Sequence, residues 1–546
     1  MKTVLLFALL FVFLGSVLIP YAGLEADEVL FAGPLHGAAN EAFAIHVRHH
    51  AILLMLNSYL GALKTLLYWP LFWIRTASVY AIRFPMVLAG AVTIVIFYKW
   101  AALFAGPRAA LLAAVLLATD PTFLLTDTFD WGPVALQHLL VVSGCFLIAR
   151  GRLSWGAFLF GLALWNKAIF GWTLAGLGLA ALLVLPGAVR ATLIDRRRWT
   201  RALLAFALGA LPLLAFNVKH PNSTLGDNAH FSFEKFPVKY QELTGAVDGS
   251  GLFGFLVAPD LAENRREPQS PQGRGASWIS DRLGHHYKTL MPYAILIAAS
   301  IVLVWWRAPG RSAALFAAIC GIVTFLAMAV TRNAGTGIHH TVLVWPMPQL
   351  LVGTALGALP WRWLRVGSVA LLIGANLLVV NQYIAQFERN GTYWNFTDAT
   401  NPLAASLART PDRNIYVIDW GIYETVDFLL QGNAHLHESY PLLIQPTPDA
   451  GQRREIDAMI VDPHAVFVDH IPALEEFHGV GAHIEAIARS EGYEKIPIRT
   501  VADRNGRTKF QVFRFQSTLP GPPNSTTVGS TLPLRPLDTQ RKKEKK

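Results

Sequence analysis

The chain has 546 residues, of which 53% are hydrophobic and only 15% are charged, and its mean hydropathy is +0.39. Soluble domains are rarely this apolar, so the composition indicates a membrane protein. Both cysteines lie inside apolar runs, which excludes a disulfide scaffold. Much of the net charge of +10 lies in short loops between these runs, which argues against a nucleic-acid partner.

Apolar runs recur as far as residue 385, and each can cross a hydrocarbon core of about 30 Å as a helix. They predict an all-α polytopic membrane domain over residues 1–385. The first run also fits a cleaved signal peptide ending near residue 22, and this alternative stays open. The eleven or so predicted transmembrane helices lie near residues 4–20, 85–104, 109–126, 132–149, 153–168, 170–187, 202–217, 290–306, 313–330, 341–359 and 366–383.

The loops expected on the same side as Lys2 are short and carry arginine, as the positive-inside rule requires of cytoplasmic loops. These loops are residues 106–108, 150–152, 190–201, 306–311 and 361–365. The opposite side is therefore predicted to be extracytoplasmic. It receives residues 21–84, 127–131, 218–289, 331–340 and everything after about 384.

Two of the extracytoplasmic loops are long. The first, residues 21–84, is apolar from 51 to 74 but is interrupted by polar residues and proline, which predicts helices lying in the membrane interface. The second, residues 218–289, contains a stretch rich in Gly, Pro and Arg. Long loops of this kind are either functional or disordered, and the sequence does not choose between the two.

After residue 390 the pattern changes to that of a small α/β domain. Residues 414–418 and 465–468 are predicted strands, 473–491 a helix, and 496–515 a hairpin that turns at Asn505-Gly506. This places an extracytoplasmic α/β domain over residues 390–516. The rest, residues 517–546, is rich in Pro, Ser and Thr and then basic, which predicts a disordered tail.

Carboxylates and cations meet at the extracytoplasmic ends of the predicted spans. A membrane enzyme that moves a sugar from a lipid-linked phosphate needs both, because a carboxylate takes the acceptor's proton and cations neutralise the departing phosphate. Acids so close to hydrocarbon usually mark function. The residues concerned are Asp27, Glu28, Arg83, Asp127, Asp130, Lys167, Lys219, His220, Arg332, His339 and His340.

Several short motifs on the predicted extracytoplasmic side, taken together with their order along the chain, resemble those of the membrane-embedded GT-C glycosyltransferases. The closest likeness is to the branch of the protein O-mannosyltransferases and the lipid A aminoarabinose transferases, over roughly residues 1–385. The motifs that carry the resemblance are Asp27-Glu28, Ile82-Arg83-Phe84-Pro85, Thr119-Asp120-Pro121 with Asp130, Asn166-Lys167, Phe216-Asn217-Val218-Lys219-His220-Pro221, and His339-His340 before Trp345-Pro346.

The resemblance implies roles for individual residues. In such enzymes an acid of the first outer loop is the catalytic base, which implies Asp27 here, with Glu28 as its neighbour or substitute. Asp130 matches a second acid that orients the acceptor or the base. The resemblance implies no cofactor and no catalytic metal, although the carboxylates could bind a divalent ion. The basic residues that would meet or surround the donor phosphate are Arg83, Lys167, His220, His339 and His340.

These residues also have structural explanations, which the sequence leaves open. Asp130 could cap the helix that follows it, Arg83 could extend to lipid headgroups, and Lys167 could be an interfacial anchor. The pair His339-His340 could lie in a solvated loop. It also stands where the family often has Arg, and imidazole is only partly charged at neutral pH.

The sequence therefore predicts an inverting hexosyl or pentosyl transferase in the membrane, with its active site on the extracytoplasmic side of a bacterial inner membrane. The donor would be a polyprenyl-phosphate sugar, and the acceptor a hydroxyl of a lipid, glycan or protein. Two alternatives remain: a transporter or flippase of lipid-linked saccharides, and a non-catalytic membrane scaffold. The identity of the sugar and of the acceptor does not follow from the motifs.

Overall fold

The structure, a computed structural model, describes residues 1–36, 42–47, 50–260, 265–304, 310–332, 334–410 and 413–518. The predicted disordered tail lies outside the described residues from 519 onward. The helices before residue 391 are, in chain order, α1 (Lys2–Leu18), α2 (Ala26–Val29), α3 (Leu63–Phe72), α4 (Val79–Ala105), α5 (Pro107–Thr119), α6 (Pro121–Thr128), α7 (Val134–Ala149), α8 (Leu153–Asn166), α9 (Phe170–Val184), α10 (Pro186–Ile194), α11 (Arg196–Gly209), α12 (Leu211–Lys219), α13 (Ser223–Asn228), α14 (Phe236–Asp248), α15 (Pro271–Leu283), α16 (Met291–Val304), α17 (Arg311–Ala329), α18 (Ile338–Thr341), α19 (Met347–Ala358) and α20 (Arg362–Asn390).

Several of these helices can cross a membrane. Among the described residues, α4, α17, the segment Ile338–Ala358 and α20 are long and apolar enough by themselves. Three bent pairs, α5 with α6, α9 with α10 and α11 with α12, raise the number to seven if each pair is one span. Shorter apolar helices, α1, α7, α8 and α16, lie at four further predicted positions. The chain is an integral membrane protein, and the count of eleven spans stays a prediction.

The break between α5 and α6 shows how polar groups are satisfied inside the bundle. Pro121 begins α6, and Asp120 caps it by accepting a hydrogen bond of 2.9 Å from the N–H of Phe123. The other carboxylate oxygen of Asp120 accepts from Nε2 of Gln349 on α19 at 2.9 Å. Two turns further, Asp127 contacts His138 on α7 at 3.2 Å. Since buried polar groups need partners, these contacts fix the bend relative to α7 and α19.

The first long loop contains a hairpin where the sequence predicted interfacial helices. Strands β1 (Phe43–Val47) and β2 (His50–Met55) pair antiparallel, with Ile45 opposite Ile52. In β2 the burial alternates, because Leu53 and Met55 are buried while Ile52 is exposed. This period of two belongs to a strand, and the continuous apolar run concealed it. The helical prediction holds only for α2, α3 and a 3-10 turn at Gly33–Leu35.

The C-terminal domain is built around one five-stranded sheet. Its further elements are α21 (Thr400–Leu407), β3 (Asn414–Val417), α22 (Tyr423–Leu430), β4 (His435–Glu438), α23 (Tyr440–Leu443), α24 (Ala450–Val461), β5 (Ala465–His470), α25 (Val480–Ser490), β6 (Tyr493–Ala502) and β7 (Thr508–Ser517). The strand order is β4-β3-β5-β7-β6, and only the contacts of β7 are antiparallel. Both predicted strands and the predicted hairpin are present, and the helix predicted at 473–491 begins later, at Val480.

Alternate residues of the central strand β5 point to opposite sides of this sheet. Val466 and Val468 pack in a core with helices α21 and α22. Ala465 and Phe467 pack in a second core with α24 and α25. The domain is therefore a three-layer α/β/α sandwich, and α22 lies in the layer that faces the first loop of the membrane domain, since its Phe428 packs in a cluster with Val29.

The C-terminal domain is held closely against this first loop. The N–H of Gly23 donates to the carbonyl of Phe396 at 2.9 Å, and a Cβ at position 23 would overlap the carbonyl oxygen of Thr397. Arg504 in the β6–β7 turn forms an ion pair with Asp398 and donates to the carbonyl of Pro20 at the end of α1. These contacts fix the domain over α2, which carries the predicted catalytic acids.

Candidate active site

The acidic residues after α1 have different partners. Glu25 caps α2, and its Oε2 accepts hydrogen bonds from the N–H groups of Asp27 at 2.8 Å and Glu28 at 3.2 Å. Burial raises the pKa of Glu25 well above its usual range, and the charges of Asp27 and Glu28 add to this effect. Glu25 therefore shapes the turn that presents the next two acids.

Glu28 and Arg83 form a fully buried ion pair. Nε and one terminal nitrogen of Arg83 donate to the two carboxylate oxygens of Glu28 at 2.6 and 2.7 Å. The remaining N–H groups donate to the carbonyls of Ile19, Ala22 and Gly23 at 2.6–2.8 Å. All five donors of the guanidinium are thus used within the protein. This geometry favours a structural role for Arg83, which ties the end of α1 to α4, over the phosphate contact that the sequence suggested.

Asp130 has a cation partner and also caps a helix. Its Oδ1 accepts from the N–H of Val134 at 2.7 Å and of Ala135 at 3.2 Å, at the start of α7. Its Oδ2 lies 2.8 Å from Nζ of Lys64, and both side chains are fully buried. Asp130 therefore caps α7, which was one of the two roles that the sequence left open. Its ion pair with Lys64 connects α3 to α7.

Asp27 differs from its neighbours because no described residue donates a hydrogen bond to its carboxylate. The residue is exposed, yet burial of the carboxyl among surrounding protein atoms raises its pKa from 3.8 to about 6. The carboxyl is therefore partly desolvated, and we call the region between it and Lys167 the recess. The positive charge of Lys167 opposes the rise in pKa. Asp27 is thus an accessible, unpaired carboxylate that can take a proton near neutral pH.

Lys167 is the cation that faces this recess. It lies in the turn between α8 and α9, where its backbone pairs with Leu60 and the N–H of Ala168 donates to the carbonyl of Tyr59 at 2.9 Å. Its buried ammonium donates to the carbonyl of His339 at 3.3 Å. Because an ammonium has three donors, it retains hydrogen-bonding capacity for an anion.

The two neighbouring histidines are uncharged. The indole N–H of Trp131 donates to Nδ1 of His339 at 2.9 Å, and the N–H of Gly335 donates to Nδ1 of His340 at 3.3 Å. Since Trp and backbone nitrogens can only donate, both Nδ1 atoms are unprotonated and each ring carries its hydrogen on Nε2. Nε2 of His340 is buried without a described partner. The pair can donate hydrogen bonds to a phosphate but brings no positive charge.

His220 lies apart from these residues. It follows α12, and its ring packs against Phe216 at 5.1 Å. Phe216 belongs to a separate small cluster with Met55 and Trp165. No described contact joins His220 to Asp27 or Lys167, so the structure brings together Asp27, Lys167, His339 and His340 and leaves His220 outside the recess.

No family model matches the chain, and no curated protein sequence matches it. Among solved structures, ArnT from Cupriavidus metallidurans, crystallised with undecaprenyl phosphate, matches 93% of this chain and 97% of its own length, with a TM-score of 0.55 at 14% identity. The chain has the fold of a GT-C glycosyltransferase. An oligosaccharyltransferase from Archaeoglobus fulgidus matches 92% of this chain and 74% of its own length, with a TM-score of 0.44 at 14% identity.

Two residues of this GT-C fold join the site without having been predicted. Lys64, within the apolar first loop, pairs with Asp130, which is 66 residues away along the chain. Glu424 comes from α22 of the C-terminal domain, and its charge interacts with that of Asp27. Neither lies in a local pattern that signals chemistry. Among the described residues, no group of three or more His, Cys, Asp or Glu is placed to hold a metal ion.

Proposed function

We propose that the protein moves a sugar from a polyprenyl-phosphate donor to an acceptor hydroxyl, with Asp27 as the general base. The observation that carries the proposal is that Asp27 is accessible and unpaired, opposite Lys167, while Glu28 and Asp130 are each bound to a buried cation. The fold supports it, because ArnT, which shares this fold, was crystallised with undecaprenyl phosphate.

In the proposed reaction Asp27 accepts the proton of the acceptor hydroxyl. The hydroxyl oxygen forms a bond to the anomeric carbon while the bond from that carbon to the phosphate oxygen breaks on the opposite face. Polyprenyl phosphate leaves with the electron pair, and the anomeric configuration is inverted. Lys167 and Nε2–H of His340 stabilise the charge that develops on the phosphate.

The buried ion pairs have a supporting role in this mechanism. Arg83 with Glu28 fixes the turn on which Asp27 stands, and Lys64 with Asp130 fixes α3 against α7 behind it. Removing one partner of such a pair leaves an uncompensated charge, so both pairs are needed to hold the base in place. In this mechanism Asp130 does not touch the substrate, and its role is to hold α3 and α7 in place.

We place the reaction on the extracytoplasmic face of a bacterial inner membrane. Supporting this, the short arginine-bearing loops fall on the side opposite to Asp27 when the predicted spans are followed along the chain. The C-terminal domain, which covers α2, would then be extracytoplasmic as well. The transferred group is a hexose or pentose in this proposal, and no metal ion takes part.

The test compares wild type, Asp27→Asn and Glu455→Gln in lipid nanodiscs with a radiolabelled polyprenyl-phosphate hexose. Glu455 is an exposed acid on α24 and serves as the matched control. We expect Asp27→Asn to bind the donor with unchanged affinity and to lose at least about 100-fold in turnover, since general-base catalysis contributes factors of this size. Full turnover in Asp27→Asn would contradict the role of Asp27. Absence of donor binding in wild type would contradict the proposed function itself.

A further inference from the structure

Helix α22 of the C-terminal domain lies directly against the turn that carries Asp27. Its Phe428 packs in one buried cluster with Val29 of α2, and the ring of Phe428 is 5.6 Å from that of Phe72 on α3. At the end of α22, Gly432 approaches the carbonyl of His36 so closely that a Cβ would overlap it. The C-terminal domain therefore forms one wall of the candidate active site.

Glu424 lies on this wall, one turn before Phe428. One of its carboxylate oxygens, Oε2, is fully buried and has no hydrogen-bond partner among the described residues. Asp427 lies three residues further along the same face, and its Oδ2 is also buried without a hydrogen-bond partner among the described residues. The charged groups that act on Glu424 are all carboxylates, namely those of Glu438, Asp27 and Asp427.

An arrangement of this kind is unfavourable without a ligand. A buried carboxylate oxygen without a donor loses its hydration and gains nothing in return, and like charges nearby add to the penalty. Consistent with this, burial raises the pKa of Glu424 from 4.5 to about 7. Unpaired buried polar groups in native proteins require an explanation, and a position beside the proposed base offers one.

We infer that Glu424 binds the acceptor, by accepting a hydrogen bond from a hydroxyl next to the one that Asp27 deprotonates. This inference rests on the proposed function. The acceptor binds beside Asp27 and presents at least two hydroxyl groups, so it is a saccharide or another polyol at its reacting end. That end carries no phosphate, because Asp27, Glu424 and Asp427 would repel it.

The chemistry of the wall favours this ligand over a metal ion. Among the described residues, no set of three possible metal ligands is suitably placed. A hydroxyl donor satisfies a single carboxylate oxygen without further ligands. It also leaves Asp27 free to act as base, whereas a cation shared by both acids would hold Asp27 in its coordination sphere.

The experiment uses the full-length protein in nanodiscs with a polyprenyl-phosphate hexose as donor and two probe acceptors, methyl mannoside and mannose 6-phosphate. Wild type, Glu424→Gln, Glu424→Asp and the control Glu455→Gln are compared. For Glu424→Gln we expect unchanged donor affinity and a KM for methyl mannoside raised about tenfold, the effect of one hydrogen bond to a charged group. We also expect the preference for methyl mannoside over mannose 6-phosphate to shrink, because one repelling charge is gone.

The outcomes distinguish the acceptor-binding role of Glu424 from the proposed transferase function. A Glu424→Gln protein with the same KM and the same preference as Glu455→Gln would overturn the inference while leaving the proposed function intact. So would a wild type that hydrolyses the donor but transfers to neither sugar, since a hydroxyl-binding carboxylate beside the base must serve a simple glycoside. If Glu424→Gln fails to fold, Glu424→Asp gives the same comparison with the charge retained and the reach shortened, and the KM for methyl mannoside must still rise. A wild type that binds no donor would contradict both proposals.

Discussion

Two buried ion pairs lie beside the candidate active site, and two further acids there, Asp27 and Glu424, lack such a partner among the described residues. Arg83 with Glu28 and Lys64 with Asp130 are fully buried, and each charge lies against one of opposite sign. No described cation forms an ion pair with either acid, and the charge of Glu424 interacts with that of Asp27 across the boundary between the two domains. Because an unpaired carboxylate in a desolvated recess is unstable, its presence favours catalysis or binding over structure.

The pH dependence of the reaction follows from the state of Asp27. Its pKa is raised from 3.8 to about 6 by burial, with Lys167 opposing, and a general base acts only when it is deprotonated. We therefore expect kcat/KM for the donor to rise with an acid limb near pH 6 and to fall again above about 7, because burial lowers the pKa of Lys167 to about 7 and the neutral amine no longer balances the phosphate charge. Rates measured across this range, with Glu455→Gln as control, test this.

The variant Glu424→Gln tests whether the acid limb of the pH profile belongs to Asp27. Glu424 lies beside Asp27, and removing its negative charge makes proton loss from Asp27 easier. Glu424→Gln should therefore move the acid limb to lower pH. An acid limb near the usual carboxyl value of 3.8 in wild type would show that Asp27 is not desolvated in the working enzyme.

At the scale of elements, the turn between α1 and α2 joins the two domains. Gly23 lies at its centre, where the chain passes the carbonyl of Thr397 without room for a side chain. We expect Gly23→Ala to lower the free energy of unfolding by about 1–3 kcal/mol, the usual effect of overpacking. Thermal unfolding in detergent measures this change.

The control for this prediction is Gly171→Ala in α9, where a Cβ would meet no atom within 4 Å. There alanine should be neutral or stabilising, because glycine is the poorer helix former. Equal melting temperatures for Gly23→Ala and wild type would mean that the C-terminal domain does not rest on this turn.

The elements also show what hydropathy could predict and what it could not. Each predicted span has an apolar helix or bent pair at its position, because length and composition determine where a helix can cross a bilayer. The hairpin β1–β2 was predicted as helical, because a fully apolar run carries no visible period. Helix α22 has only eight residues and was missed, and with it the wall that carries Glu424.

The site was predictable only in part for a similar reason. Asp27, Lys167, His339 and His340 could be grouped because each lies at the end of a span on the same side. The pairing of Lys64 with Asp130 and the docking of α22 are long-range contacts, which no local pattern encodes. The role of Arg83 was not predictable either. Its donors are all used within the protein, three of them by the carbonyls of Ile19, Ala22 and Gly23. This favours a structural role over phosphate binding, and only the fold brings these carbonyls around it.

For the molecule as a whole, the proposed function requires the recess and the C-terminal domain to share one side of the membrane. The contacts of Gly23 and Arg504 already join them in one structure. The remaining question is which side that is. The positive-inside rule predicts that the arginines of residues 190–201, at the opposite end of the predicted spans, face the cytoplasm.

This orientation can be measured with single cysteines. Glu455→Cys on α24 and Arg197→Cys on α11 are both exposed, whereas the native Cys145 and Cys320 are buried and give little background. In intact cells we expect a membrane-impermeant maleimide to label Glu455→Cys, and to label Arg197→Cys only after permeabilisation. The reverse pattern would place Asp27 and the C-terminal domain in the cytoplasm, where an acceptor would have to be cytoplasmic too. Labelling of both positions in intact cells would contradict the predicted number of spans between them.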